Sequence, residues 1–330
     1  MMKDLLKHTI ACRIAGCLAV FCLAFVSCTS TVDDGPQDSR AITFQAPQAD
    51  TRAVVENGER LPADFRVWGW HGTDGTNTDN IFDATVVYKN AGWNYTDGVR
   101  YWKSGEIYNF YAVYPVFPLP TGEGDTQTTS TVTTGGTITV TNFDCSKTGT
   151  EAVDLMTATA TGITYTAEQT PQPVVMEFSH LLAKVEFVGK SEGGNATVNK
   201  LVLGNIFTKG TYDDSSASLW SNLTSQDITI SNSTDLTSDG ENVSDDMLLI
   251  PQTLTSPQLT VTYSTDTETN RTETYTLPID IISSWMAGQS YRYTFTITGG
   301  GYIIFDAPTV NKWGSATGGS ITIDVTEPNS

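Results

Sequence analysis

The chain has 330 residues, 39% of them hydrophobic, with 37 acidic against 18 basic residues and a formal net charge of −19. So acidic a chain repels nucleic acid and anionic lipid surfaces, which excludes both as partners held by charge. Its length suffices for one large or two medium cores, and two are expected.

Lys3 and Lys7 lead into the apolar run Ile14–Val26, followed by Ser27, Cys28 and the polar stretch Thr29–Asp34. The run is too short to span a bilayer as a mature helix, and it stops at a small residue before a cysteine. That is the pattern of a secretory signal, residues 1–27, with a lipobox-like cleavage site. Cys28 is then expected to become the acylated first residue, anchored at about 0.8 kcal/mol per buried methylene. An ordinary signal peptide is the alternative. Removing the leader takes away Lys3, Lys7, Arg13 and Asp4 and moves the net charge from −19 to about −21. Cys12, Cys17 and Cys22 lie in the leader, so Cys145 is left alone in the folded part and no internal disulfide is expected.

Residues 28–40 read as a flexible tether. From Ala41 the texture becomes short alternating segments. Ala41–Ala46 puts Ile42 and Phe44 on one face and Thr43 and Gln45 on the other. Phe65–Trp70 is a second strand, and Thr85–Lys89 with Gly92–Tyr95 forms a hairpin around Asn90-Ala91. Arg100–Trp102 and Tyr108–Tyr114 continue the pattern until Pro115, Pro118 and Pro120 end it. Residues 121–141 read as a long surface loop or a weak edge hairpin. Thr170–Pro173 punctuates the chain, and the boundary between an N-terminal sandwich (41–172) and a C-terminal one (173–330) is placed there. Strands follow at Val174–Phe178, Leu181–Val188, Val198–Ile206, Asp246–Ile250, Gln258–Tyr263, Thr272–Leu277, Tyr291–Ile297, Gly301–Phe305 and Ser320–Val325. Residues 211–245 form a variable loop with short strands. Many short strands separated by turn residues predict an all-β fold of antiparallel sandwiches and not an α/β sheet.

The chemistry of catalysis is missing. His71 sits in a Gly/Asp/Thr turn and His180 follows a strand residue; neither has cysteine or histidine neighbours at metal-ligand spacing. The chain has no phosphate loop or dinucleotide fingerprint. Asp74, Asp79 and Asp83 are loosely spaced and lack the terminal glutamate of an EF-hand. Asp213-Asp214 and Asp245-Asp246 read as solvated loop charges. Trp68, Trp70, Trp93, Trp102, Tyr108, Tyr111 and Tyr114 are either a sandwich core or a glycan-stacking platform, and core is the commoner use. No enzyme activity, cofactor or metal is expected.

An ordered set of residues resembles a known family: Ser27-Cys28, Ile42–Phe44, Thr51–Ala53, Phe65–Trp70, Tyr101-Trp102, Tyr108–Pro115, Asp154–Met156, Phe178–Phe187, Trp285–Tyr293 and Val310–Trp313. In this order they are similar to the fimbrillin family, the FimA/Mfa-like subunits of type V pili in Bacteroides-type bacteria. The segments 121–141 and 211–245 carry none of it. The resemblance implies two transthyretin-like β-sandwich domains, export as an outer-membrane lipoprotein through Cys28, and assembly into adhesive surface fimbriae with other fimbrial subunits. It also implies an arginine-specific protease that frees an N-terminal strand, whose groove is then filled by a C-terminal donor strand of another subunit. The displaced strand would present Ile42, Phe44 and Ala46. The donor Ser320–Val325 would present Ile321, Ile323 and Val325 with the same period of two. Arg52, followed by Ala53, is the first candidate for cleavage, Arg40-Ala41 the second and Arg60 the third. The alternative for Ser320–Val325 is that it closes its own domain. The alternative for the whole chain is a stand-alone surface lipoprotein that binds a glycan or a protein.

Overall fold

The computed structural model describes residues 40–46, 64–122 and 124–313, and the backbone of 320–321. These residues are almost wholly β, as the period-two texture requires. The first ten strands are β1 (Phe44–Gln45), β2 (Asp64–Gly72), β3 (Asp79–Lys89), β4 (Trp93–Tyr95), β5 (Ile107–Tyr114), β6 (Thr129–Val132), β7 (Ile138–Asp144), β8 (Met156–Thr164), β9 (Val174–Val175) and β10 (Ser179–His180). Six of them form one sheet in the order β10-β8-β5-β2-β3-β4. His71 lies in β2, opposite Tyr108 and Asp79, and not in a turn; the turn begins only after Gly72.

This sheet is covered on both faces, which explains why β5 is apolar almost without interruption. Phe65, Val67, Tyr108, Phe110 and Ala112 point into one core, together with Ile42, Phe44, Val174 and Met176. Trp68, Trp70, Tyr111 and Val113 point into a second core. The aromatic run between Phe65 and Tyr114 is therefore split by strand alternation between two interiors.

The second half supplies β11 (Ala183–Glu192), β12 (Ala196–Gly204), β13 (Phe207–Asp213), β14 (Trp220–Ser225), β15 (Ile228–Ile230), β16 (Thr234–Asp235), β17 (Glu241–Asn242) and β18 (Met247–Leu249). It continues with β19 (Gln252–Thr253), β20 (Gln258–Thr265), β21 (Arg271–Thr276), β22 (Ser284–Trp285), β23 (Gln289–Thr298), β24 (Ile303–Phe305), β25 (Thr309–Lys312) and β26 (Ser320–Ile321). One sheet runs β17-β11-β23-β25-β26 and another β15-β12-β20-β21. Their apolar positions, Val185, Phe187, Tyr293 and Phe295 in the first and Val198, Leu201, Val261 and Tyr263 in the second, belong to one core. The Tyr263 hydroxyl donates to the Gly301 carbonyl (2.6 Å), and indole Nε1–H of Trp285 donates to the Tyr293 hydroxyl (3.1 Å). The buried polar tips thus keep partners. Pairing is antiparallel except for β1 with β9 and β11 with β23, which are parallel among the described residues.

Residues 121–141 and the start of 211–245 are more ordered than their composition implies. Hairpin β6–β7 pairs through β7 with β13, and β13 with β14, to give a four-stranded sheet. Ile138, Val140 and Tyr212 anchor it in the core. Strand pairing thus crosses the expected 172/173 boundary.

The β6–β7 turn also closes over Tyr111. Gly136 has φ +87°, and a Cβ there would fall on the Tyr111 ring and hydroxyl. Gly105 has a similar φ of +83° but open space around it. Gly105→Ala is expected to cost about 1–2 kcal/mol, from backbone strain alone. Gly136→Ala should lose a further ~1–3 kcal/mol to overpacking. Urea unfolding midpoints of the two variants measure the difference, and equal midpoints would refute the close contact.

Candidate functional site

Among the described residues, the segment Arg40–Ala46 pairs with two stretches far from it in sequence. On one side Ala41 bridges Tyr101 antiparallel: Ile42 N–H donates to the Arg100 carbonyl (2.8 Å) and Trp102 N–H to the Arg40 carbonyl (3.0 Å). On the other side it runs parallel to Val174–Met176, with Val174 N–H donating to the Thr43 carbonyl (2.7 Å) and Met176 N–H to the Gln45 carbonyl (2.8 Å). The Tyr95 hydroxyl donates to the Ile42 carbonyl (3.1 Å) and accepts from Arg100 N–H (2.8 Å). Three short stretches from distant parts of the chain thus form the layer that covers one face of the six-stranded sheet, and Arg40–Ala46 is the middle one.

The alternation read from the sequence is what fills this groove. Ile42 is fully buried and Phe44 is 3% exposed, Ala46 is half-buried, and Thr43 and Gln45 face out. The Phe44 ring sits among Phe65 (6.3 Å), Phe82 (5.2 Å), Tyr95 (6.0 Å) and Phe110 (5.6 Å), with interplanar angles between 71° and 89°. Every one of these is an edge-to-face contact, the arrangement the ring quadrupole favours. A cleft of about 630 Å³, lined in part by Trp102, Tyr165, Pro173 and Val174, abuts both flanks of the strand.

The other residues singled out in the sequence fall elsewhere. Cys28, Arg52, Ala53, Arg60, Ile323 and Val325 lie outside the described residues. Ile321 lies in β26, which pairs antiparallel with β25, Ile321 opposite Val310 and Ser320 opposite Asn311. Arg40 is half-buried with its carbonyl engaged by Trp102, so cutting at Arg40-Ala41 requires that bond to open. His71 Nδ1 meets Glu106 Oε2 (3.4 Å) in a buried setting. His180 Nδ1 meets Asp154 Oδ1 (3.0 Å), and its ring stacks on Trp313 at 3.9 Å. Asp74 accepts from the N–H and hydroxyl of Thr76, whereas Asp79 and Asp83 lie exposed on β3. Among the described residues no group of three or more His, Cys, Asp or Glu is placed to hold a metal ion. Nor, among them, is any helix long and apolar enough to cross a membrane. Trp68, Trp70 and Trp102 are at most 6% exposed and offer no ring face to a sugar. Sequence reasoning read the strand and its flanks, Arg100–Trp102 and Val174–Met176, as extended segments but did not pair them, because pairing across so many residues leaves no local pattern.

A family model described as fimbrillin-like matches residues 51–313. No curated protein matches the chain. Among solved structures, a fimbrial protein from Bacteroides vulgatus is similar at 20% identity and a TM-score of 0.55, with 83% of this chain and 99% of that chain covered. A candidate cell adhesion protein from Bacteroides uniformis is similar at 17% identity and a TM-score of 0.54, covering 84% and 100%. At such identities the likeness is one of fold.

Two outcomes follow from the burial. Phe44→Ala should destabilise the protein by about 3–5 kcal/mol in urea unfolding, while exposed Gln45→Ala should stay within about 0.5 kcal/mol. Burial pushes the Cys145 thiol up to about 12. In a chain starting at Thr29, Cys145 should therefore resist a thiol reagent at pH 8 and react fully once urea unfolds the protein, since the thiolate is the nucleophile.

Proposed function

The chain belongs to the fimbrillin-like family, and on that premise we propose that it is a cell-surface fimbrial subunit whose N-terminal strand is displaced and replaced by a donor strand. The observation that carries this reading is the Arg40–Ala46 strand. It is the middle strand of its layer and seats Ile42 and Phe44 in the core. It is separated from β2 by residues 47–63, which hold Arg52 and Arg60. A cut between Arg52 and Ala53 would turn this strand from part of the chain into a bound peptide. Its hold would then be noncovalent: backbone bonds at about 1 kcal/mol net each and two buried side chains at about 1.5–3 kcal/mol each. An extended strand with inward residues at a period of two can recover the same bonds.

The remaining parts belong to the same reading. Acyl chains on Cys28 would tether the subunit to the outer membrane, an arginine-specific protease would release the strand, and other fimbrial subunits would be the partners. Ser320–Val325, with Ile321, Ile323 and Val325, would be the segment offered onward. The chain would form two transthyretin-like sandwiches, with β9 and β10, beyond the 172/173 boundary, paired into the first. The role is structural and adhesive, without catalysis. A glycan-binding lipoprotein has less support, because Trp68, Trp70, Trp102, Tyr108 and Tyr111, five of the seven aromatics that would stack a sugar, are buried in the core.

The test uses the chain from Thr29, treated with an arginine-specific protease that is then inhibited. Intact mass should show a cut after Arg52. The cut chain, and not the uncut one, should take up a fluorescent synthetic copy of Ala41–Thr51. A chain that is not cut at Arg52, or that is cut and never exchanges its strand, would overturn the reading.

A further inference from the structure

The groove around Arg40–Ala46 has a part that any strand satisfies and a part that few do. The backbone groups of Arg100, Trp102, Val174 and Met176 meet an extended chain irrespective of its side chains. The Phe44 position is different. It is a box walled by Phe65, Phe82, Tyr95 and Phe110, and each wall meets the Phe44 ring edge to face. Tyr95 is further fixed from outside the strand, because its hydroxyl accepts from Arg100 N–H (2.8 Å). A close-packed box of this kind does not shrink around a smaller, non-planar side chain.

The chain's own C-terminal segment does not match it. Residues 314–330 contain no aromatic residue. When Ile321, Ile323 and Val325 are laid over Ile42, Phe44 and Ala46, the central residue Ile323 takes the Phe44 position whichever way the strand runs. Sliding the register by two brings Ile321 or Val325 there instead, both aliphatic. An isoleucine forfeits the ring contacts and leaves part of the box empty.

We infer that the groove selects a donor strand with an aromatic side chain at its central inward position, and that its preferred partner is a subunit other than a second copy of this chain. This rests on the strand-exchange reading above. It makes the chain a member of a mixed assembly and not the repeating unit of a homopolymer.

Peptide competition on the cut, protease-inhibited chain from Thr29 tests it. Four fluorescent peptides are titrated by anisotropy: Ala41–Thr51, the same with Phe44→Ile, Ser320–Pro328, and the same with Ile323→Phe. The resident fragment opposes all four alike, so their ratios are informative. Ile323→Phe should raise affinity at least tenfold over the chain's own sequence, and Phe44→Ile should lower it at least tenfold, roughly 1.4 kcal/mol each. If the unaltered Ser320–Pro328 peptide binds as tightly as its Ile323→Phe form, the selectivity is wrong while strand exchange stands. If Ala41–Thr51 itself fails to enter, strand exchange falls and the selectivity with it.

Discussion

The N-terminal half depends on Phe44 standing in its box of aromatic rings. The six-stranded sheet has two apolar faces, and an apolar face left in water costs the protein its main driving force. On one face a four-stranded sheet and part of the second core supply broad cover. On the other the cover is three short stretches, and the middle one contributes only a handful of residues. Phe44 lies where four strand residues of the sheet and its hairpin converge, so a single ring completes a core drawn from β2, β3, β4 and β5. Without it Phe65, Phe82 and Phe110, all fully buried, would line an open trough.

The rest of the molecule is built to hold this sheet steady without covalent help. Cys145 is free and buried, so no disulfide contributes among the described residues. Several polar groups inside the fold find specific partners. Asn109 bonds Asn77 and the Gly75 carbonyl, and it accepts from Gly162 N–H. Arg66 reaches the carbonyls of Ala84 and Phe117 (2.6 and 2.9 Å), and burial lowers its pKa. In the second half Lys184 pairs with Asp246 (3.0 Å) and Arg292 with Glu186 (2.6 Å) across adjacent strands. Such partly exposed pairs add little each; their use is to fix register where β11 meets β18 and β23. The acidic excess is thereby left on the outside.

How far the sequence discloses this follows from what is local. Period-two alternation is a local signal, and it placed Phe65–Trp70, Tyr108–Tyr114 and the Asn90-Ala91 hairpin on strands that the structure contains. It also put Ile42 and Phe44 on one face. Residues 121–141 read as a long loop or a weak edge hairpin because Thr, Gly and Ser dominate them; the hairpin forms, and Ile138 and Val140 anchor β7 with β13 beside it. Gly72-Thr-Asp-Gly after His71 reads as a turn, but the ladder with β5 extends to Gly72 and carries His71 inside. Parallel pairing of β1 with β9 and β11 with β23 joins residues far apart in the chain, and no short-range pattern records it. The groove was illegible for the same reason: its strand is local, its walls are not.

Replaceability and selectivity come from different atoms of the same strand. Backbone bonds are available to any extended chain, so a groove flanked by Arg100–Trp102 and Val174–Met176 can change occupant without a new fold. Side-chain boxes are not interchangeable, because packing in a dense interior penalises both voids and overfilling. On the strand-exchange proposal, a replacement strand would bring a flat ring to the point where Phe44 meets Phe65, Phe82, Tyr95 and Phe110. On that proposal, one phenylalanine in the N-terminal segment, set against the aliphatic Ile321, Ile323 and Val325 of the C-terminal segment, would separate what this groove accepts from what this chain offers.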